Sequence, residues 1–169
     1  DYGKQPIATA KCRTTSGAAD TTGVTISGWE TSSTTYIKIW TDPDDPYGRH
    51  KGRWDEGKYR LANNTSGTLL LGQLNNELNI TIDGLQVLIQ NGSWADATGV
   101  KLYNAGQKNA KISNNIFRSD SSNRSYALSL NSSLDDATVY FWNNIMYGFA
   151  VTNAAAISVD GTNGSVYAN

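Results

Sequence analysis

AKISNNIFRS (110–119) and TVYFWNNIMYG (138–148) share one pattern: a bulky apolar residue, a spacer, two asparagines and two more apolar residues. Superposing Ile112 on Phe141 sets Asn114 on Asn143, Asn115 on Asn144 and Phe117 on Met146, at the constant offset 141 − 112 = 29. Upstream, ITIDGLQVL (80–88) joins at 112 − 82 = 30, with Ile82 on Ile112, Gly84 on Asn114 and Val87 on Phe117. Downstream, SVYAN (165–169) opens a shortened copy, with Tyr167 set on Phe141 and Asn169 on Asn143.

A second strand keeps nearly the same spacing. GVKLY (99–103), ALSL (127–130) and AISV (156–159) align Val100, Leu128 and Ile157 in one column and Leu102, Leu130 and Val159 in another, with Lys101, Ser129 and Ser158 between them. Alternation of period two sends the aliphatic columns to one face and the polar column to the other. A unit of two short strands cannot bury its apolar face alone, so it needs like units stacked above and below. Parallel pairing between successive units, about 4.8 Å apart, stacks like residues on like. Asn114, Asn115, Asn143 and Asn144 then form a ladder at a sharp bend, because asparagine tolerates left-handed dihedrals and its amide both donates and accepts.

The front of the chain fits the same scheme. Val24 and Ile26 alternate with Thr25 and Ser27, Tyr36, Ile37 and Ile39 follow the turn ETSSTT, and TLLLGQL (68–74) reads as a continuous apolar strand. The expected division is one domain over 1–169, with N-terminal coils carrying long loops over 1–77 and regular coils with the asparagine ladder over 78–169. Trp29, Trp40 and Trp54 are expected to plug the first coils and brace loops.

Composition limits the partners. Of 169 residues, 17% are charged, the formal net charge is −1, and no basic block gathers, so neither nucleic acid nor an anionic membrane has electrostatic support. No apolar run approaches the roughly 18 residues of a spanning helix. Cys12 is the single cysteine, which excludes an internal disulfide and reads as a small buried hydrophobe. The chain begins at Asp1 and its one methionine is Met146, which suggests a processed product or a piece of something longer.

Through ITIDGLQV, AKISNNIF and VYFWNNIM, the chain resembles the right-handed parallel β-helix proteins of the pectin-lyase-like superfamily over 78–169. Its front half, with VTISGW, YIKIWT and GKYRL, is similar to the first coils of uncharacterised β-helix repeat proteins of phages and environmental bacteria. The resemblance implies an all-β, single-stranded right-handed parallel β-helix of about five coils, with truncation an open reading. Pectin-degrading relatives carry aspartate clusters for Ca²⁺ with a basic residue, or an Asp-Asp pair with Gly-His and Arg-x-Lys motifs. Neither set matches here residue by residue, so no catalytic residue is assigned.

The remaining candidates come from the residues themselves. TDPDDPYG (41–48) sets Asp42, Asp44 and Asp45 in one turn, where oxygen ligands for Ca²⁺ and an ordinary Asp-Pro turn are the two readings. His50 is the only histidine and lies among Arg49, Lys51 and Arg53, which oppose its protonation; it is expected to be a loop residue. Asp135–Asp136 is the best carboxylate pair for glycosidic hydrolysis and also suits a turn. Lys101, Lys111, Tyr140 and Trp142 are expected to face outward, and flat aromatics beside asparagine and serine suit a carbohydrate-binding surface.

The sequence thus favours a non-enzymatic protein, extracellular or on a virion surface, with a structural, filament-forming or adhesive role and polysaccharide as the candidate partner. SVYAN stops within a strand period, which points either to continuation of the chain or to end-to-end self-association, and contacts of that type that fail to close give fibres. The alternatives are the N-terminal part of a polysaccharide lyase or glycoside hydrolase, and a discrete trimeric fibre.

Overall fold

The computed structural model describes residues 7–63, 68–73, 79–90, 97–103, 109–131, 138–150, 155–160 and 165–169. All secondary structure among them is β. One sheet contains β1 (Ala8–Lys11), β3 (Ile37–Trp40), β6 (Asn79–Asp83), β9 (Asn109–Ser113), β12 (Thr138–Trp142) and β15 (Ser165–Ala168), adjacent in that order. A second contains β4 (Arg60–Asn63), β7 (Gln86–Ile89), β10 (Ile116–Ser119) and β13 (Ile145–Tyr147). The third contains β2 (Val24–Ile26), β5 (Thr68–Gln73), β8 (Ala97–Tyr103), β11 (Ser125–Asn131) and β14 (Ala155–Asp160). Neighbouring strands are parallel, and from β3 onward the chain visits the three sheets in turn before stepping to the next rung. The fold is a parallel β-solenoid, with about four turns carrying a strand in each sheet.

The repeat registers match the pairing. Ile82 lies beside Ile112 and Ile112 beside Phe141, Val87 beside Phe117 and Phe117 beside Met146, and Leu128 beside both Val100 and Ile157. These side chains fill the interior together with Ile80, Leu102, Leu130 and Val139. Phe117 and Phe141 stack with ring centroids 6.1 Å apart. Val159, over Leu130, is half exposed because no further described strand packs beyond β14.

Two sequence expectations change. Each unit has three strands instead of two, because the Asn-Asn bend divides what reads as one segment into β9 and β10, and again into β12 and β13. Asn114 and Asn143 take φ of 56° and 52° there, and Gly84 takes 80° at the equivalent bend; a glycine or asparagine meets this left-handed geometry at low steric cost. The last copy is shifted by one residue: Tyr167 pairs with Tyr140, not Phe141, and Ala168 lies beside Phe141. This register puts Val166 over Val139 and against the core, whereas a one-residue slip would send Tyr167 inward.

The bend is held by two amide columns. On the inner one, Asn115 Oδ1 accepts from the Leu85 N–H (2.8 Å) and Asn144 Oδ1 from the Asn115 N–H (2.9 Å). The same side chains donate back to the Ile82 and Ile112 carbonyls. On the outer one, Asn143 donates to Asn114, and Asn114 donates to the Asp83 carboxylate.

Candidate functional site

Register fixes what the outer face of the first sheet presents. Lys38, Thr81, Lys111, Tyr140 and Tyr167 fall in one outward column, and Trp40, Asp83, Ser113 and Trp142 in the next. A groove of about 730 Å³ crosses β6, β9 and β12 on this face. Thr81, Lys111, Tyr140 and Trp142 line it along the strands, Asn79 and Asn109 line it where the strands begin, and Ser33 and Tyr36 form the loop wall. Tyr140 and Trp142 are 40% and 38% exposed, and the Tyr140 ring stacks on Tyr167 with centroids 5.6 Å apart. Asn109 donates to Asn79 across the groove floor (3.3 Å). A smaller depression adjoins it, sharing Tyr36 and lined by Trp29 and Glu30.

Of the four outward residues expected to meet carbohydrate, the structure brings together Lys111, Tyr140 and Trp142. Lys101 lies on β8 in the third sheet, beyond the bends that separate the two faces. Thr81 was legible in the repeat, one position before Ile82, the equivalent of Ile112, but Ser33 and Tyr36 reach the groove through a loop outside the repeat. Trp29 is 49% exposed beside the smaller depression and plugs no coil, whereas Trp54 braces a loop, with its Nε1–H donating to Glu56 and its ring 5.5 Å from the Arg118 guanidinium. Trp40 lies under the Lys38 ammonium at 4.2 Å.

The 41–48 turn is stapled to β1 and its flank. Lys11 pairs with Asp42 at 2.6 Å and Arg13 with Asp45 at 3.3 Å, and the second oxygens of these carboxylates accept the N–H groups of Asp44 and Tyr47. The hydrogen bond from Lys11 holds the Asp42 carboxyl below its usual pKa. Among the described residues no three acidic, histidine or cysteine side chains converge as a metal cage, so Asp42, Asp44 and Asp45 do not share one centre. Asp135 and Asp136 lie outside the described residues. Cys12 packs against the core, and burial pushes its thiol pKa up.

His50 is more engaged than its position in a basic loop suggests. Its Nε2 lies 2.9 Å from the Asn114 carbonyl, and its Nδ1 accepts the Gly52 N–H (3.1 Å). Beside it, Arg49 pairs with Asp83 and donates to the Thr41 carbonyl. Burial alone would raise the Asp83 carboxyl, but hydrogen bonds from Asn114, Arg49 and Ser113 outweigh it and hold the group below the usual carboxylate range. These contacts were hidden in the sequence because they span 34 residues (Arg49 to Asp83) and 64 residues (His50 to Asn114).

No protein-family model, curated protein or solved structure matches the chain.

Proposed function

We propose that this protein is a non-enzymatic β-solenoid with a structural and adhesive role outside the cell or on a virion, and that the groove on its first sheet holds a segment of polysaccharide. The observation that carries this reading is the groove itself. Two partly exposed aromatic side chains, Tyr140 and Trp142, stand beside amide, hydroxyl and ammonium groups, which is the chemistry that packs against pyranose rings and bonds their hydroxyls. Rungs about 4.8 Å apart would set a chain lying along the axis against Thr81, Lys111 and Tyr140 in succession. Membership of the pectin-lyase-like superfamily and right-handed winding belong to the same proposal, and an experimentally determined structure would test both.

Calorimetric titration of acidic and neutral polysaccharides into the protein should find a binder. Tyr140→Ala and Trp142→Ala should each weaken it by about 1.5 kcal/mol, roughly tenfold in Kd, while leaving the fold intact because both side chains face outward. Binding unaffected by both changes, or no binder in the panel, would remove the groove from the proposal. New reducing ends or unsaturated products during incubation would instead establish a lyase or glycoside hydrolase.

A further inference from the structure

Residues 41–59 leave β3 and return to β4 across the outer face of the second sheet. Four fastenings hold them there. Arg49 pairs with Asp83, His50 bonds the Asn114 carbonyl, Asp55 exchanges backbone bonds with the Gln86 amide, and the Trp54 ring meets Arg118. Gly84 lies directly under this crossing, where a Cβ would collide with the Arg49 guanidinium and the Thr41 hydroxyl.

The loop covers side chains that face away from the core. On β10, Phe117 points inward, so Ile116 points outward, yet it is 0% exposed; Ile145, its register partner one turn on, is 43% exposed. Ile145 lies on the edge strand β13, whereas Ile116 has a strand on either side and loop fastenings at its flanking residues, Asn114 and Arg118. Gln86, the equivalent on β7, is buried by the same loop.

We propose that residues 49–55 are a pH-sensitive strap: protonation of His50 loosens it and uncovers Gln86 and Ile116, extending the apolar column that Ile145 begins. The geometry sets the closed tautomer. With Nδ1 accepting from Gly52, the ring proton sits on Nε2 and donates to Asn114. A second proton on Nδ1 would point at the Gly52 N–H, setting donor against donor, and would place a charge on a half-buried ring. Arg49, from the strap, opposes that charge. Asp83, from β6, favours it but is already engaged by Arg49, Ser113 and Asn114. On the β10 side, Arg118 and Asp120 neutralise one another in a two-pronged pair.

Burial, partly offset by the Asn114 carbonyl, pushes the closed-state pKa of His50 below its ordinary value. The closed strap therefore binds a proton less readily than the open one. Closure is strongest above the open-state value near 6.5 and weakens as pH falls toward the closed-state value, so the opening constant rises between pH 7 and pH 5. The strap does not depend on the polysaccharide groove, which lies on a different sheet.

Hydrogen exchange on the whole protein, corrected for the intrinsic pH dependence of amide exchange, tests the strap. Peptides covering 49–56 should lose protection between pH 7 and pH 5 in the wild type. His50→Gln, which retains a donor for Asn114 but does not titrate, should abolish that change, and peptides from β8 and β11 should not respond. His50 is the only histidine, so its imidazole NMR signal is unambiguous, and its midpoint should lie below 6.5. Equal protection at both pH values, the same loss in His50→Gln, or a midpoint at or above 6.5 would overturn the strap; the wild-type titration decides even if the variant fails to fold.

Discussion

Asn115→Ala should destabilise the protein by about 3–5 kcal/mol, measured as a lower urea midpoint at unchanged slope. Asn115 is 1% exposed and its amide serves three partners: it accepts from the Leu85 N–H and donates to the Ile82 carbonyl and to Asn144 Oδ1. Alanine removes all three bonds and fills none of the space. The Leu85 N–H is then left without its partner in the interior at a cost of about 1–3 kcal/mol, and the Ile82 carbonyl and Asn144 Oδ1 each lose a donor, at about 1 kcal/mol apiece. Asn144 makes the equivalent bonds one turn later but is half-buried, so water can reach the groups it leaves, and Asn144→Ala should cost only about 1–2 kcal/mol. Equal losses for the two variants would show that the ladder stabilises through bend geometry and not through buried hydrogen bonds.

Phe117→Ala should cost a similar 3–5 kcal/mol or so for a different reason, the loss of packing. Its ring is fully buried, lies between Val87 and Met146 in the register of the second sheet, and stacks on Phe141 across the interior. Gly99 on the third sheet makes room for it: a Cβ at Gly99 would lie 3.2 Å from Phe117 Cδ1 and 2.9 Å from the Ala127 carbonyl oxygen. Because the coils above and below are fixed by backbone pairing, the walls cannot collapse into the space that alanine leaves. Phe117→Leu, retaining much of the volume, should lose roughly half as much. A thermal melt unchanged by Phe117→Ala would mean that the ring does not fill a shared interior.

The pair of predictions also separates what was readable from what was not. Asn115 and Phe117 were both found from the repeat, since a solenoid copies its local environment at a fixed interval and a copied environment leaves a copied residue. The bend was legible for the same reason, although its division of one segment into two strands was not, because a single left-handed residue changes direction without changing the apolar pattern. At the last copy the pattern was degraded enough to be set one residue out of register. The groove was half legible: Lys111, Tyr140 and Trp142 belong to the repeat, while Tyr36 and Ser33 are brought in by a loop.

By itself, the sequence determined that this chain stacks: an apolar column that returns every 29 or 30 residues can be buried only against its own copies, and asparagine at the bend supplies the bonds that stacking leaves open. Tertiary structure alone decided which outward residues share a face and what the long loop covers. Strand alternation tells in from out, but not which of three sheets a strand joins, so Lys101 parted from Lys111 only when the bends were built. Contacts such as Arg49 to Asp83 and His50 to Asn114 depend on where a non-repeating loop lands, and that is fixed by the summed fit of many weak interactions across the rungs it crosses.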